Sequence, residues 1–182
     1  MLVITVPDKE YFDDKTGEFV YVKGQTLQME HSLVSLSKWE SKWCRSFISS
    51  KQEKTMEETL DYIKCMTITQ NVNPLVYNNL TRENIQAIND YIAAPMTATY
   101  FPQQEDNKKL NGEPITSELI YYWMVALTIP FECQKWHLNR LITLIRVCNL
   151  KNAPPKKTSK KELANRYAAI NEARKKKLNT KG

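Results

Sequence analysis

The sequence predicts a mainly helical α+β protein, with a small N-terminal antiparallel β-sheet or hairpin, a helical bundle and a basic C-terminal helix. Three observations point there. Residues 1–31 hold short β-branched or alternating stretches separated by turn residues. From residue 32 onward apolar residues recur every three or four positions, as one face of a helix requires. Charge is divided: residues 151–182 carry eleven Lys/Arg and two acids, a net +9, which leaves −3 on residues 1–150 of a chain whose total is +6.

In order along the chain, "LVITV" at 2–6 reads as a strand. "YF" at 11–12 and "FVYV" at 19–22 flank "DDKTGE", a hairpin loop in which Gly17 is free to take positive φ. "TLQME" at 26–30 alternates and adds a strand. "SLVSLSKWESKW" suits a helix with Leu33, Leu36, Trp39 and Trp43 on successive turns. A helix over 55–66 opens with a capping box, Thr55 reaching forward and Glu58 back, and its expected stripe is Met56, Leu60 and Ile63. Thr81 caps a helix with Ile85, Ile88 and Ile92 inward, ending before Pro95. Between Pro102 and Pro114 the chain is polar, with an Asn-Gly turn at 111–112.

Thr116 or Ser117 caps a helix over 118–128 that is apolar on nearly every face, which predicts a central position. Pro130 suits the first turn of the next helix, over 131–149, carrying Trp136, Leu141, Leu144, Ile145 and Cys148. The last expected helix starts with a Ser159/Glu162 capping box and bears a narrow stripe of Leu163, Tyr167 and Ile170. The organisation is then a globular domain over 1–150 (hairpin region 1–31, helical core 32–150), a proline- and lysine-rich linker over 151–159 and a basic helix and tail over 160–182.

Composition excludes some chemistry. Only four glycines occur, Gly17, Gly24, Gly112 and Gly182, so no phosphate-wrapping loop of the Walker or dinucleotide type can be built. Four widely spaced cysteines, no secretory-type N-terminus and a longest apolar run of 11 residues at 119–129 predict a soluble intracellular protein with reduced thiols.

Cys133 and His137 stand four apart in "FECQKWHLNR" and would share a helix face. A zinc site would need about four ligands and a nucleophile pair an exposed, activated thiol. Phe131, Trp136 and Leu138 beside them favour the third reading, core, with His137 satisfied by a carbonyl. The acidic pairs Asp13/Asp14, Glu57/Glu58 and Glu105/Asp106 are explained by solvated turns and helix starts. No catalytic group, metal set or cofactor is expected.

Binding is the stronger expectation. Lys156, Lys157, Lys160, Lys161, Arg166, Arg174, Lys175, Lys176 and Lys177 surround Leu163, Tyr167 and Ile170, a pattern for docking on a partner helix with apolar grooves and acidic rims. Nucleic acid is a second partner class through the same charge, although a single aromatic in the tail is too few for base stacking. The stripe is thin for a membrane surface. Trp39 and Trp43 are either core anchors facing the helix at 118–128 or an exposed hot spot for the partner.

The runs "TLQMEHSLVSLSKWESKW" and "ITSELIYYWMVALTIPFECQKWHLNRLITLIRVCN", with the ending "LNTKG", resemble the tail assembly chaperones of long-tailed, siphovirus-type bacteriophages. The resemblance implies a non-enzymatic protein of the bacterial host cytoplasm that coats the helix-rich tape measure protein and keeps it soluble during tail morphogenesis; a homo-oligomer is a separate partner expectation. The alternative is a small phage nucleic-acid-binding or regulatory protein acting through the tail.

Overall fold

A computed structural model describes residues 1–13, 17–50, 52–101, 114–153 and 160–178. The loop at 14–16, the Asn-Gly turn at 111–112, Lys156, Lys157 and the cap at Ser159 lie outside the described residues. The class is α+β and mainly helical, as the sequence predicts.

The strands are β1 (Leu2–Val6), β2 (Lys9–Asp13), β3 (Glu18–Val22) and β4 (Gln25–Met29), one at each of the four strand-like stretches of the sequence. β1 pairs antiparallel with β4 and β2 with β3, and Val6↔Gln25 and Lys9↔Val22 continue one register. The four strands are therefore one long hairpin, interrupted where Pro7–Asp8 faces Lys23–Gly24. Pro7 has no N–H to donate, and Asp8 fills the gap: its carboxylate accepts from the Gly24 N–H at 2.6 Å and the Tyr21 hydroxyl at 2.7 Å. A Cβ on Gly24 would stand 2.3 Å from the Val6 carbonyl oxygen, so only glycine fits there. The interruption slips the pleat by one residue. Ile4, Val6, Leu27 and Met29 face inward on one side of it, Tyr11, Val20 and Val22 on the other. Gly17 takes φ +71° at the hairpin end, as expected.

Six helices follow: α1 (Leu33–Trp43), α2 (Met56–Met66), α3 (Arg82–Ala93), α4 (Ser117–Ala126), α5 (Leu138–Asn152) and α6 (Lys160–Leu178). Capping boxes at Ser32/Ser35, Thr55/Glu58 and Thr81/Asn84 start the first three, and Thr116 caps α4. Two corrections follow from packing. On α2 the inward stripe is Tyr62, Ile63 and Met66, while Met56 is exposed; buried Glu58 and Asp61 turn that face inward because each finds a cationic partner, Arg45 at 2.7 Å and Lys42 at 2.5 Å. The single helix expected over 131–149 is two elements, a 3-10 turn at Phe131–Lys135 and then α5. Between them Trp136 is extended, and a bridge from Ser32 to His137, with the Leu138 N–H bonded to the His31 carbonyl at 2.7 Å, pulls the chain out of helix.

The chain forms two compact units, residues 1–149 and 150–182. Within the first, α1 is the shared wall of two cores. Trp39 packs with the inner face of the ribbon, α2, a 3-10 turn at Pro74–Asn79 and α3; Leu33 and Leu36 pack with α4, Ile129, Cys133 and α5. The second unit holds the end of α5 and all of α6.

Candidate interaction surfaces

α6 is the clearest place where charge is offered outward. Its 19 residues include seven Lys/Arg and two acids, and every described side chain from residue 164 to 178 is exposed. Tyr167 and Ile170 stand on it one turn apart, as predicted, with Leu178 continuing the stripe. The helix also places Arg166, Arg174, Lys175, Lys176 and Lys177 in solvent. Lys160, Lys161 and Leu163 occupy its first turn; their side chains are outside the described set.

The tryptophans correct the expected surface. Trp39 is 0% exposed, and its indole N–H donates to the Glu58 carbonyl at 2.9 Å. Trp43 is half-buried, bonded through its indole to Asp61 at 3.0 Å. Both belong to the core that contains α2, not to the one around α4. Spacing alone could not distinguish the two walls of α1. Trp39 is a core residue, and only an edge of Trp43 reaches solvent.

α4 departs from the expectation of full burial. Ser117, Ile120 and Met124 form its one buried stripe, while Tyr122 and Val125 are 65% and 60% exposed. Exposed Phe131 lies 6.5 Å from Tyr121 between ring centroids and widens this apolar face. A second outward patch sits on the hairpin end, where the cross-strand pair Phe12 and Phe19 meet edge to face at 5.2 Å. Phe12, Phe19 and Tyr21 are 51%, 70% and 61% exposed, all on the side opposite Tyr11 and Val20. Strand alternation in "YF" and "FVYV" holds the information for this patch, since aromatics at successive positions cannot all face inward.

Cys133 and His137 do not share a helix face, because the break at Trp136 separates them. Cys133 fills the second core. His137 is buried, its Nδ1 accepting from the Asn139 N–H at 3.3 Å, so the proton sits on Nε2 and is donated to the Tyr91 carbonyl at 2.9 Å. The carbonyl partner is of the kind expected. The unexpected neighbour is His31, whose ring lies 5.1 Å from that of His137 and whose Nδ1 shares a 2.5 Å hydrogen bond with the Tyr62 hydroxyl. Burial, and then the nearby His137, hold the His31 pKa down to about 4. The His31 imidazole is therefore neutral, and His137 is held in place by its hydrogen bonds to Asn139 and Tyr91. Among the described residues no group of three or more His, Cys, Asp or Glu side chains is arranged to hold a metal ion.

A cleft of 340 Å³ lies between α2 and α3, lined by Phe47, Ile63, Ile85, Ile88 and Ile92 together with Lys54. The Lys54 ammonium lies 4.1 Å above the Phe47 ring, and burial lowers its pKa. No carboxylate pair or nucleophile–base pair lines it. Among the described residues no helix is long and apolar enough to cross a membrane. Compared with protein-family models, curated proteins and solved structures, the chain has no match in any of the three.

Proposed function

We propose that this protein is a tail assembly chaperone of a long-tailed bacteriophage, a non-enzymatic protein that binds the tape measure protein in the host cytoplasm and keeps it soluble. The observation that carries the reading is α6: a 19-residue helix, exposed along its described side chains, with cations around a narrow apolar stripe. Such a helix matches an elongated helical partner whose own stripe is apolar and whose rims are acidic. Resemblance to the chaperone family in the runs at 26–43 and 115–149 supports the same role. Many weak contacts repeated along one long partner would add up to firm coating without any tight single site.

Co-expression is the test. The full chain should raise the soluble fraction of the tape measure protein several-fold, and a chain ending at residue 150 should lose most of that effect. The nucleic-acid reading rests on the same cations and predicts a different outcome: nuclease treatment would abolish capture, and affinity for DNA or RNA would fall linearly in log–log with salt. An insoluble tape measure protein despite equal expression of the full chain would remove the chaperone reading.

A further inference from the structure

The inner half of the hairpin has its flanks covered. The backbone of residues 66–68 bonds to the outer edge of β4, Met66 accepting from the Glu30 N–H at 2.9 Å and the Ile68 N–H donating to Gln28 at 2.8 Å. Asn84 reaches the Thr5 carbonyl of β1 at 3.3 Å. The outer half differs. Among the described residues neither β2 nor β3 has a backbone partner beyond the other. An uncovered edge is a template for another strand, and exposed aromatics beside it are unusual for an edge left to water.

The sequence of β2 selects the strand that fits. Lys-Glu-Tyr-Phe-Asp, at Lys9–Asp13, is complementary to itself when two copies run antiparallel about Tyr11. In that register each Lys9 faces the second copy's Asp13, and each Glu10 faces the second copy's Phe12. Centring on Glu10 instead sets two glutamates against each other, and centring on Phe12 carries Lys9 past the end of the opposing strand. Among the registers centred on a residue, only this one pairs opposite charges. The hairpin supplies an independent reason. Its own register places Asp13 opposite Glu18, so within the hairpin neither position is matched with a lysine. Pairing about Tyr11 supplies a lysine at that register position. Pairing through β3 would bring Glu18 opposite Val22 and leave both carboxylates uncompensated.

We propose that two copies of this chain associate through β2, antiparallel about Tyr11, to form a four-stranded intermolecular sheet in the order β3–β2–β2–β3. The contact is isologous, so it closes at two copies. It also joins the two Phe12/Phe19/Tyr21 faces into one continuous aromatic surface, because these residues lie on the same side of both hairpins.

Sedimentation of the full chain over a series from about 1 μM to about 1 mM tests this. Wild type should pass from monomer to dimer. Lys9→Glu and Asp13→Lys should each weaken association about tenfold or more, since each sets like charges opposite one another at both ends of the contact. The double variant Lys9→Glu/Asp13→Lys should restore it, because the swap keeps the strand self-complementary. Unfolding midpoints confirm that every variant is folded. A chain that stays monomeric throughout, single variants that dimerise like wild type, or a double variant that does not recover would each overturn the proposal.

Discussion

Glu40 is a charge carried into a place where two backbone N–H groups meet it. It is buried on α1, and its carboxylate accepts from Phe47 at 2.8 Å and from Ser117 at 2.6 Å. One contact orders the segment after α1, and the other caps α4 from 77 positions away. Glu40→Ala should cost about 3 kcal/mol in chemical denaturation, because two buried donors lose a charged acceptor. Gly24→Ala should also destabilise the fold, through the clash with Val6. His31 makes the protein acid-sensitive. Its pKa is about 4 in the folded chain against an ordinary value near 6.5, so the unfolded chain takes up the proton first. Stability is therefore full above about pH 6.5 and declines as pH falls toward 4, by about 3 kcal/mol in all. His31→Gln should flatten that slope in urea titrations at pH 7 and pH 5. None of these partnerships is legible in the sequence. Glu40 reads as one more polar residue in "KWESKW", and its acceptor role depends on a loop and a helix that arrive later. A lone histidine gives no sign that another will meet it edge to face.

At the scale of elements, local chemistry was readable and orientation was not. Caps at Thr55, Thr81 and Thr116 lie where the sequence places them, because a capping side chain bonds to groups two or three residues away. Which stripe of a helix turns inward depends on neighbours. α2 hides Asp61 and exposes Met56 because Lys42 and Trp43 wait beside it. α4 is apolar all round, so no pattern in it chooses a face. Its two sides should respond differently. Met124→Ala should cost about 3 kcal/mol, as expected for a fully buried side chain, whereas Tyr122→Ser should stay within about 0.5 kcal/mol. Thermal or urea unfolding of the two variants side by side makes the comparison. Equal losses would mean that the outer face of α4 is covered in solution.

For the whole molecule, the division of charge is the most legible property, since it needs only counting: −3 over residues 1–150 and +9 over 151–182. If the tail carries the proposed partner binding, that binding weakens with salt, and replacing Lys175, Lys176 and Lys177 with Gln should reduce the salt dependence of capture of the proposed tape measure partner. The long-range architecture is the opposite case. α1 as a wall between two cores, and the bridge from Ser32 to His137, join positions too distant for any local pattern to link.

The single register of the N-terminal hairpin also bears on how the chain reaches its native state. From Asp13↔Glu18 to Leu2↔Met29 every pairing closes the same hairpin, so each rung shortens the loop that the next must close. Such a ribbon can zip within about 1–10 μs. Its inner face then waits for α2 and α3, which the chain delivers only by residue 93. The rate-limiting event is therefore expected to be the docking of those helices on a ribbon already formed, and core substitutions at Leu27 and Met29 should speed unfolding more than they slow refolding.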